Sequence, residues 1–578
     1  MMRDAWQTIV NCLEKENVEY VFGLPGSASM FFDALYDSDK ITTILPREQV
    51  DGAFMAAAYS QANGKHGVCY GGPGPGFTNL LSGILEANAT CTPLIVISGS
   101  ASTNITGNPA FQEVPQLEMA KQITKWAIRI TDPERVTWAM QRAFSISKSG
   151  KPGPVYIEIP GNIGKQKCEV KKYNTSDCYY KHKPEKSKLY QALNLLKESK
   201  KPLLICGGGT NISQAYNEVN ILMNEYNIPV MTSNSGRGIV KEDNLLALGL
   251  TGLYFTELGR GIYNDSDLLI TVGTKNEQFE TGDWEMLPDK AKYIHIDIDP
   301  NQFNRNIITD IQIAGDAKLV LEDLIEVLEK ELDNKTLSIW KKRSEKIKKL
   351  KIEETEKIEK EYNNEFKKEN SNYIKSKWVV YNLNKVFGDN TVLVNENGSQ
   401  DLWSYYADYY KILNEGDSIT PGNQTCMGFG VSGAIGVKLA KPEKNVVCVT
   451  GDGAFQMHMR ELPTAVQYNA PITYIVLDNE ELGWIKFGQK INNKRYIASE
   501  FKAQPDFAKI ASACNCYGEN IKNNSDVIPA LKRALKKNKE GIPAVLSFKV
   551  DGNSYPQGFL NYYKEVRGYN IPDYISKN

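Results

Sequence analysis

Three α/β domains, each built on a doubly wound parallel sheet, are the fold class this sequence predicts. Short apolar runs alternate with helical stretches, Gly- and Pro-rich turns separate them, and the pattern restarts twice along 578 residues. In the first block VEYVFGLPG (18–26) precedes SMFFDALYD (29–37), ITTILPREQ (41–49) precedes VDGAFMAAAYSQANG (50–64), and GVCYGGPGPGFTN (67–79) precedes LLSGILEA (80–87). PLIVISG (93–99) and GPVYIEIP (153–160) add two runs with the unbroken apolar character of strands buried on both faces.

The polar, Lys-rich stretch 165–188 lacks such runs and reads as a linker. A second block follows with KPLLICGGG (201–209), NIPVMTSNSGRG (227–238), SDLLITVG (266–273) and AKYIHIDIDP (291–300). A third contains NTVLVNENG (390–398), NVVCVTGDG (445–453), PITYIVLDN (471–479) and PAVLSFKV (543–550). Between them KKRSEKIKKLKIEETEKIEKEYNNEFKK (341–368) mixes both charge signs, with Ile347, Leu350, Ile358, Tyr362 and Phe366 at helical spacing and Glu354 as the one interruption. An amphipathic surface helix is expected there. The expected division is 1–170, 186–335, a charged helical linker 336–376, and 377–560.

Composition narrows the function. The 68 basic and 69 acidic residues nearly cancel, so neither a nucleic acid nor a membrane surface is the expected partner. No run approaches the roughly 18 apolar residues of a membrane span, and MMRDAWQTIVNCLEKENVEY mixes charges too early for a signal peptide. A soluble cytoplasmic protein is expected. The ten cysteines form no CxxC pair and the four histidines flank no GxSxG element, which argues against zinc, a disulfide framework and a hydrolase triad. A cofactor is left to carry the chemistry.

The most informative segment is VVCVTGDGAFQMHMRELPTAVQYNAPITYIVLDNEELGW (446–484). One strand ends at GDG, a helix from about Met457 follows, and a second strand ends at Asp478 and Asn479. Parallel neighbours end on one sheet edge, so Asp452 and Asn479 can meet where ligands bind. A carboxylate, an amide oxygen and a nearby backbone carbonyl suit a hard cation such as Mg²⁺, while Gly451 and Gly453 let phosphates approach the backbone.

This segment resembles the diphosphate-binding signature of thiamine diphosphate (ThDP) enzymes. The resemblance makes Asp452 and Asn479 side-chain ligands of Mg²⁺ and Glu481 the donor of a backbone carbonyl; Gly451, Gly453, Ala454 and Gly483 become cofactor contacts, Ala454 standing where Ser is usual. ILPREQVDGAFMAAAYSQANG (44–64) resembles the segment carrying the catalytic Glu of the pyruvate oxidase and acetohydroxyacid synthase group, which puts that role on Glu48. GPGFTNLLSGILEA (74–87), AFQEVPQLEMAKQITKWAIRI (110–130) and GKPGPVYIEIP (150–160) look most like acetohydroxyacid synthase catalytic subunits, and Gln112 falls in their substrate region. TCMGFGVSGAIGVKLA (425–440) resembles the stretch that sets a bulky apolar residue, here Met427, beneath the bent cofactor. The resemblance names the blocks pyrimidine-binding, central Rossmann-like and diphosphate-binding. It implies a homodimer or homotetramer, because the Glu and the GDG segment of one site come from different copies. A carboxylic acid beside the aminopyrimidine favours the imino tautomer that takes the thiazolium proton, the role expected of Glu48.

The sequence also departs from that pattern. Gly488 stands where the synthases have the Trp that favours 2-ketobutyrate, and Trp484 where they have Met. NENGSQDLW (395–403) replaces a run close to TDVGQHQMW, so Gly398 is kept and Ser399 and Gln400 replace Gln and His as hydrogen-bonding contacts. GGG (207–209), GLTG (249–252), HIDIDP (295–300) and GD (315–316) resemble the synthases' FAD frame, whereas GTKNEQFETG (273–282) replaces GARFDDRVTG, losing its Arg to Lys275 and its paired aspartates. FAD is left open. The expected activity is decarboxylation of a 2-keto acid, pyruvate first among candidates, and transfer of the acyl unit to a carbonyl acceptor, as in acetolactate synthesis. A keto-sugar or aldehyde carboligase, a decarboxylase or an oxidase is the alternative, and the missing His-His pair in the first block disfavours the decarboxylase.

Overall fold

The computed structural model describes residues 2–26, 30–175, 181–368 and 373–576. Three six-stranded parallel sheets follow one another, each flanked by helices, as the alternating pattern requires. The first has the spatial order Thr42–Ile44, Tyr20–Gly23, Gly67–Gly71, Leu94–Ser100, Val155–Pro160, Trp126–Arg129. The third has Ser418–Ile419, Thr391–Asn395, Asn445–Gly451, Thr473–Asp478, Ala544–Lys549, Tyr517–Ile521. These two share one topology, second strand at the edge and first strand inside it. The middle sheet, Ala247–Leu250, Val230–Thr232, Pro202–Cys206, Leu268–Val272, Lys292–Asp297, Ile311–Ala314, is wound in simple order outward from its first strand.

The matching topologies meet. The helix after the second strand of the first sheet, Gln49–Asn63, packs against its counterpart in the third, Phe429–Ala440. Both are rich in Ala and Gly, which lets the backbones approach; a Cβ on Gly436 would lie 2.0 Å from the Met55 carbonyl oxygen. One apolar cluster therefore runs from Phe22 and Tyr156 through Ala53–Ala58, Val431 and Ala434 to Val394 and Val476.

The charged linker is a single helix, Asn334–Lys368. Its first half inserts Trp340 and Ile347 into the middle core and its second half inserts Ile358, Tyr362 and Phe366 into the third, so it straps two layers together. The apolar stripe differs from expectation at Leu350, which is exposed. Lys351 is buried in its place, its Nζ 3.2 Å from both Glu354 and Asp408. Glu354 thus pairs with a buried cation instead of interrupting the stripe. The segment 165–188 is also more structured than a linker: Lys167–Glu169 pairs antiparallel with Met2–Asp4, and residues 176–180 lie outside those described. Among the described residues no helix is long and apolar enough to cross a membrane.

Candidate active site

The third sheet changes winding direction between Thr391–Asn395 and Asn445–Gly451, the position where open α/β sheets hold ligands. Beyond those ends the chain forms a cavity of about 280 Å³. Gly398, Ser399, Gln400, Met427, Gly451, Gly453, Ala454 and Gly483 all line it, with Asp452, Asn479, Glu481 and Trp484. A Cβ on Gly451 would meet nothing within 4 Å, so the backbone opens directly onto the space.

Asp452 and Asn479 each follow the last residue of adjacent, hydrogen-bonded strands. The Asn479 amide terminus lies 3.0 Å from Asp452 Oδ1 and 3.0 Å from the Glu481 carbonyl oxygen. With nitrogen turned inward it donates to both. With oxygen turned inward, three oxygens converge with no proton between them, an arrangement that a hard divalent cation satisfies. Burial and the facing Asp478 carboxylate push the Asp452 carboxyl upward in the absence of a cation. Gln504 bridges the two acids, donating from Nε2 to Asp452 Oδ2 at 2.7 Å and to Asp478 Oδ1 at 2.8 Å. The helix after GDG starts at Asp452 rather than near Met457 (Asp452–His458), breaks into a tight turn at Met459–Glu461 and resumes at Leu462–Gln467. Pro463 explains the break, since it lacks an N–H and is accommodated in the first turn of a new helix.

Gln400 bears on the same cavity. It is one of the lining residues; its Oε1 accepts from Ser376 Oγ at 2.7 Å, while its Nε2 is buried without a partner among the described residues. A buried donor left unmade costs about 1–3 kcal/mol, and an anionic group in the cavity would satisfy it.

Three thiamine pyrophosphate enzyme domains match the chain in order: the N-terminal TPP binding domain over residues 3–119, the central domain over 189–324 and the C-terminal TPP binding domain over 398–548. The chain belongs to the thiamine pyrophosphate enzymes. It is 34% identical over 559 residues to the probable acetolactate synthase large subunit of Methanocaldococcus jannaschii, covering 94% of this chain and 91% of that one. The same protein of Methanococcus aeolicus is 32% identical over 574 residues, covering 95% and 92%. The acetolactate synthase large subunit of Haemophilus influenzae is 32% identical over 548 residues, covering 92% of each.

In this thiamine pyrophosphate enzyme Glu48 lies away from the cavity of its own chain. It is the N-cap of the helix Gln49–Asn63, its Oε1 accepting from Gln49 N at 3.1 Å and from Asn79 Nδ2 at 2.8 Å. Gln112 is on the first sheet's side as well, its backbone against Gly74. Gly488 is in the helix Gly483–Ile491 but outside the cavity lining, with open space around it.

The Met427 loop is gripped from two sides. Glu396, one residue past its strand, accepts from the backbone N–H of Gly428 at 2.9 Å, Gly430 at 2.8 Å and Val431 at 3.2 Å. Burial pushes its carboxyl up to about 7 against those hydrogen bonds. Glu86, from the first sheet's layer, accepts from Gly422 N and from Cys426 N at 3.0 Å. Gly428 has φ +94°, and any Cβ there would run into the His458 ring. Sequence reasoning missed Glu86, Glu396, Gln504 and the cavity-lining Phe279. Glu396 adjoins a strand end and was open to detection; the others reach the site only through tertiary packing.

Proposed function

We propose that this chain is a Mg²⁺- and ThDP-dependent enzyme that decarboxylates pyruvate and transfers the acyl unit to a carbonyl acceptor, acetolactate synthase-like in its first half-reaction. The observation that carries this reading is the convergence of Asp452, Asn479 and the Glu481 carbonyl beside the orphaned Gln400 Nε2 in one cavity. The 32% and 34% relatives named acetolactate synthase support it. Asp452, Asn479 and the Glu481 carbonyl would hold Mg²⁺, which would neutralise phosphate charge beside them. Gln400, Ser399 and the backbone at Gly453 and Ala454 would hold the diphosphate. Thiamine diphosphate, when bound, supplies a nucleophilic carbon to the donor's carbonyl.

Glu48 would hold a proton at the aminopyrimidine ring. It lies outside the cavity of its own chain, which fits a site completed by a second copy in a homodimer or homotetramer. Phe111, beside Gln112, is 80% exposed and fits the same need for a covering surface. The N-terminal block 1–170 would then bind the pyrimidine, 186–335 form the central unit and 377–560 bind the diphosphate, joined through 336–376.

A second cavity, of about 480 Å³, supports FAD as a further bound group. It opens at the winding reversal of the middle sheet and is lined by Gly208, Gly209, Gly273, Asp297 and Asp316. A flavin absorbance band in purified protein tests this.

The principal test is CO₂ release from pyruvate measured with and without ThDP and Mg²⁺. Release that needs both is the expected result; release indifferent to ThDP, or none, defeats the proposal.

A further inference from the structure

The proposed activity leaves the acceptor open, and one wall of the cavity bears on it. Phe279, from the loop after the middle sheet's fourth strand, and Trp484, from the first turn of Gly483–Ile491, both line the cavity, with ring centroids 6.1 Å apart and planes at 32°. Both rings are fixed from behind. Trp484 Nε1 donates to Tyr563 Oη at 2.8 Å, and Phe559 meets its ring edge-on at 5.3 Å. Tyr562 meets Phe279 edge-on at 6.1 Å. Ile485 extends the apolar wall to the rim, where it is 56% exposed. One helical turn beyond Trp484, Gly488 leaves the adjoining space empty.

Charge is distributed in the opposite sense to what a carboxylate needs. Among the described residues, this chain's lining of the cavity contains no Lys, Arg or His; its ionisable side chains are Asp452 and Glu481. Two lysines of the adjoining helix are engaged: Lys486 pairs with Glu481 and Glu500, while Lys490 Nζ lies 3.5 Å from Glu481 and 2.8 Å from Asn553 Oδ1. Laid against the Phe279 and Trp484 rings, an acceptor carboxylate would meet no counter-charge from this chain, whereas the apolar face of an uncharged ring would be in contact with both.

We propose that the acceptor is an uncharged carbonyl compound carrying a ring, which lies on Phe279 and Trp484, rather than a second 2-keto acid. Aromatic walls take flat or CH-lined ring faces, so a keto-sugar and an aromatic aldehyde share the required chemistry. In the reaction the C1–C2 bond of pyruvate breaks and CO₂ leaves. A bond forms from C2 to the acceptor carbonyl carbon, and the acceptor oxygen takes up one proton to become a hydroxyl. No oxidant or reductant is consumed.

This inference rests on the proposed function, and one experiment separates their failures. The holoenzyme is given labelled pyruvate with 2-ketobutyrate, a keto-hexopyranose or benzaldehyde in separate and competing reactions; CO₂ and products are followed by mass spectrometry. Ring adducts exceeding acetolactate and the 2-ketobutyrate adduct by at least about tenfold are expected, and which ring reacts assigns the source. In Phe279→Arg, the ratio of 2-ketobutyrate adduct to ring adduct within the same sample should rise at least about tenfold; in Trp484→Leu the ring adduct should fall relative to acetolactate. CO₂ release with the two keto-acid products dominating in wild type overturns this inference alone. An unchanged product ratio in a soluble Phe279→Arg protein also overturns it. No ThDP-dependent CO₂ release overturns both readings.

Discussion

His458 Nδ1 and Asp51 Oδ1 are hydrogen-bonded although 407 positions separate them, and the bond crosses the seam between the first and third sheets. Ser432 Oγ also binds Asp51 Oδ1, and Arg460 Nε binds its Oδ2 at 2.7 Å. Burial works to raise the Asp51 carboxyl, but the bonds from His458, Ser432 and Arg460 outweigh it and hold the group below its ordinary range. Glu461 faces the same pocket and is pushed the other way, first by burial and then by the Asp51 charge, while accepting from Arg47 N at 2.7 Å. The residue next to Glu48 is thereby anchored to the diphosphate-binding layer. Asp51→Ala leaves His458, Ser432 and Arg460 without their shared acceptor and should cost about 2–3 kcal/mol in urea unfolding. A loss below about 1 kcal/mol would show that the seam does not depend on this carboxylate.

The two helices of that seam make a separate prediction. Gly436→Ala drives a Cβ into the Met55 backbone, where no side-chain adjustment can relieve it, and should destabilise by about 1–3 kcal/mol. Gly261→Ala, in the helix Glu257–Asp265 with nothing within 4 Å of the new Cβ, should be neutral or stabilising by up to about 1 kcal/mol. Equal effects in chemical denaturation would mean that backbone proximity is not the reason for glycine at 436.

How legible all this was depends on the distance over which each feature is encoded. The sheets could be read because their central strands are largely apolar runs, several of which end in Gly, Asp or Asn, as at 446–452 and 473–479, and such runs are local. The cavity lining could be read for the same reason, since most of it falls within a few residues of those ends. The buried Lys351 could not, because its burial depends on Asp408, contributed by a segment 57 positions away. Phe279 and Glu86 reach the cavity or its supporting loop from other sheets, and no pattern around them announces it. Glu48 could be identified as important, but its service as a helix cap needed the geometry of Asn79 and Gln49.

The proposed metal ligands should fail together with the cofactor. Asp452→Ala removes one of three converging oxygens and should weaken Mg²⁺ and ThDP affinity in parallel, each by at least about tenfold, in calorimetric titrations. Gln504→Leu, which removes the bridge to Asp478 but no metal ligand, should have a smaller effect on both. Unchanged cofactor affinity in Asp452→Ala would remove this carboxylate from the anchor.

Glu48→Gln tests proton handling apart from folding. The amide keeps an oxygen that can accept from Gln49 N and Asn79, so the helix cap and the melting temperature should be retained. Loss of the ionisable group should lower ThDP-dependent CO₂ release by about 10²–10⁴-fold with cofactor affinity little changed. Near-normal turnover would assign the activating acid elsewhere.

His66 predicts how stability responds to acid. It is buried with its ring edge-on to Phe144 and Nε2 3.2 Å from the Phe144 carbonyl; burial, aided by Lys148, pushes its imidazole down to about 3. In the unfolded chain the ring titrates near 6.5. Between those values the unfolded state binds a proton that the folded state refuses, so this residue makes stability fall as pH is lowered from 6.5 towards 3. From pH 7 to pH 5 the contribution amounts to about 2 kcal/mol. His66→Gln keeps a hydrogen-bond donor but cannot take up a proton, so its unfolding free energy should decline by about 2 kcal/mol less than wild type over the same interval. The other titrating groups are common to both proteins and cancel in the comparison. Parallel declines for the two proteins would mean that His66 is protonated in the folded state.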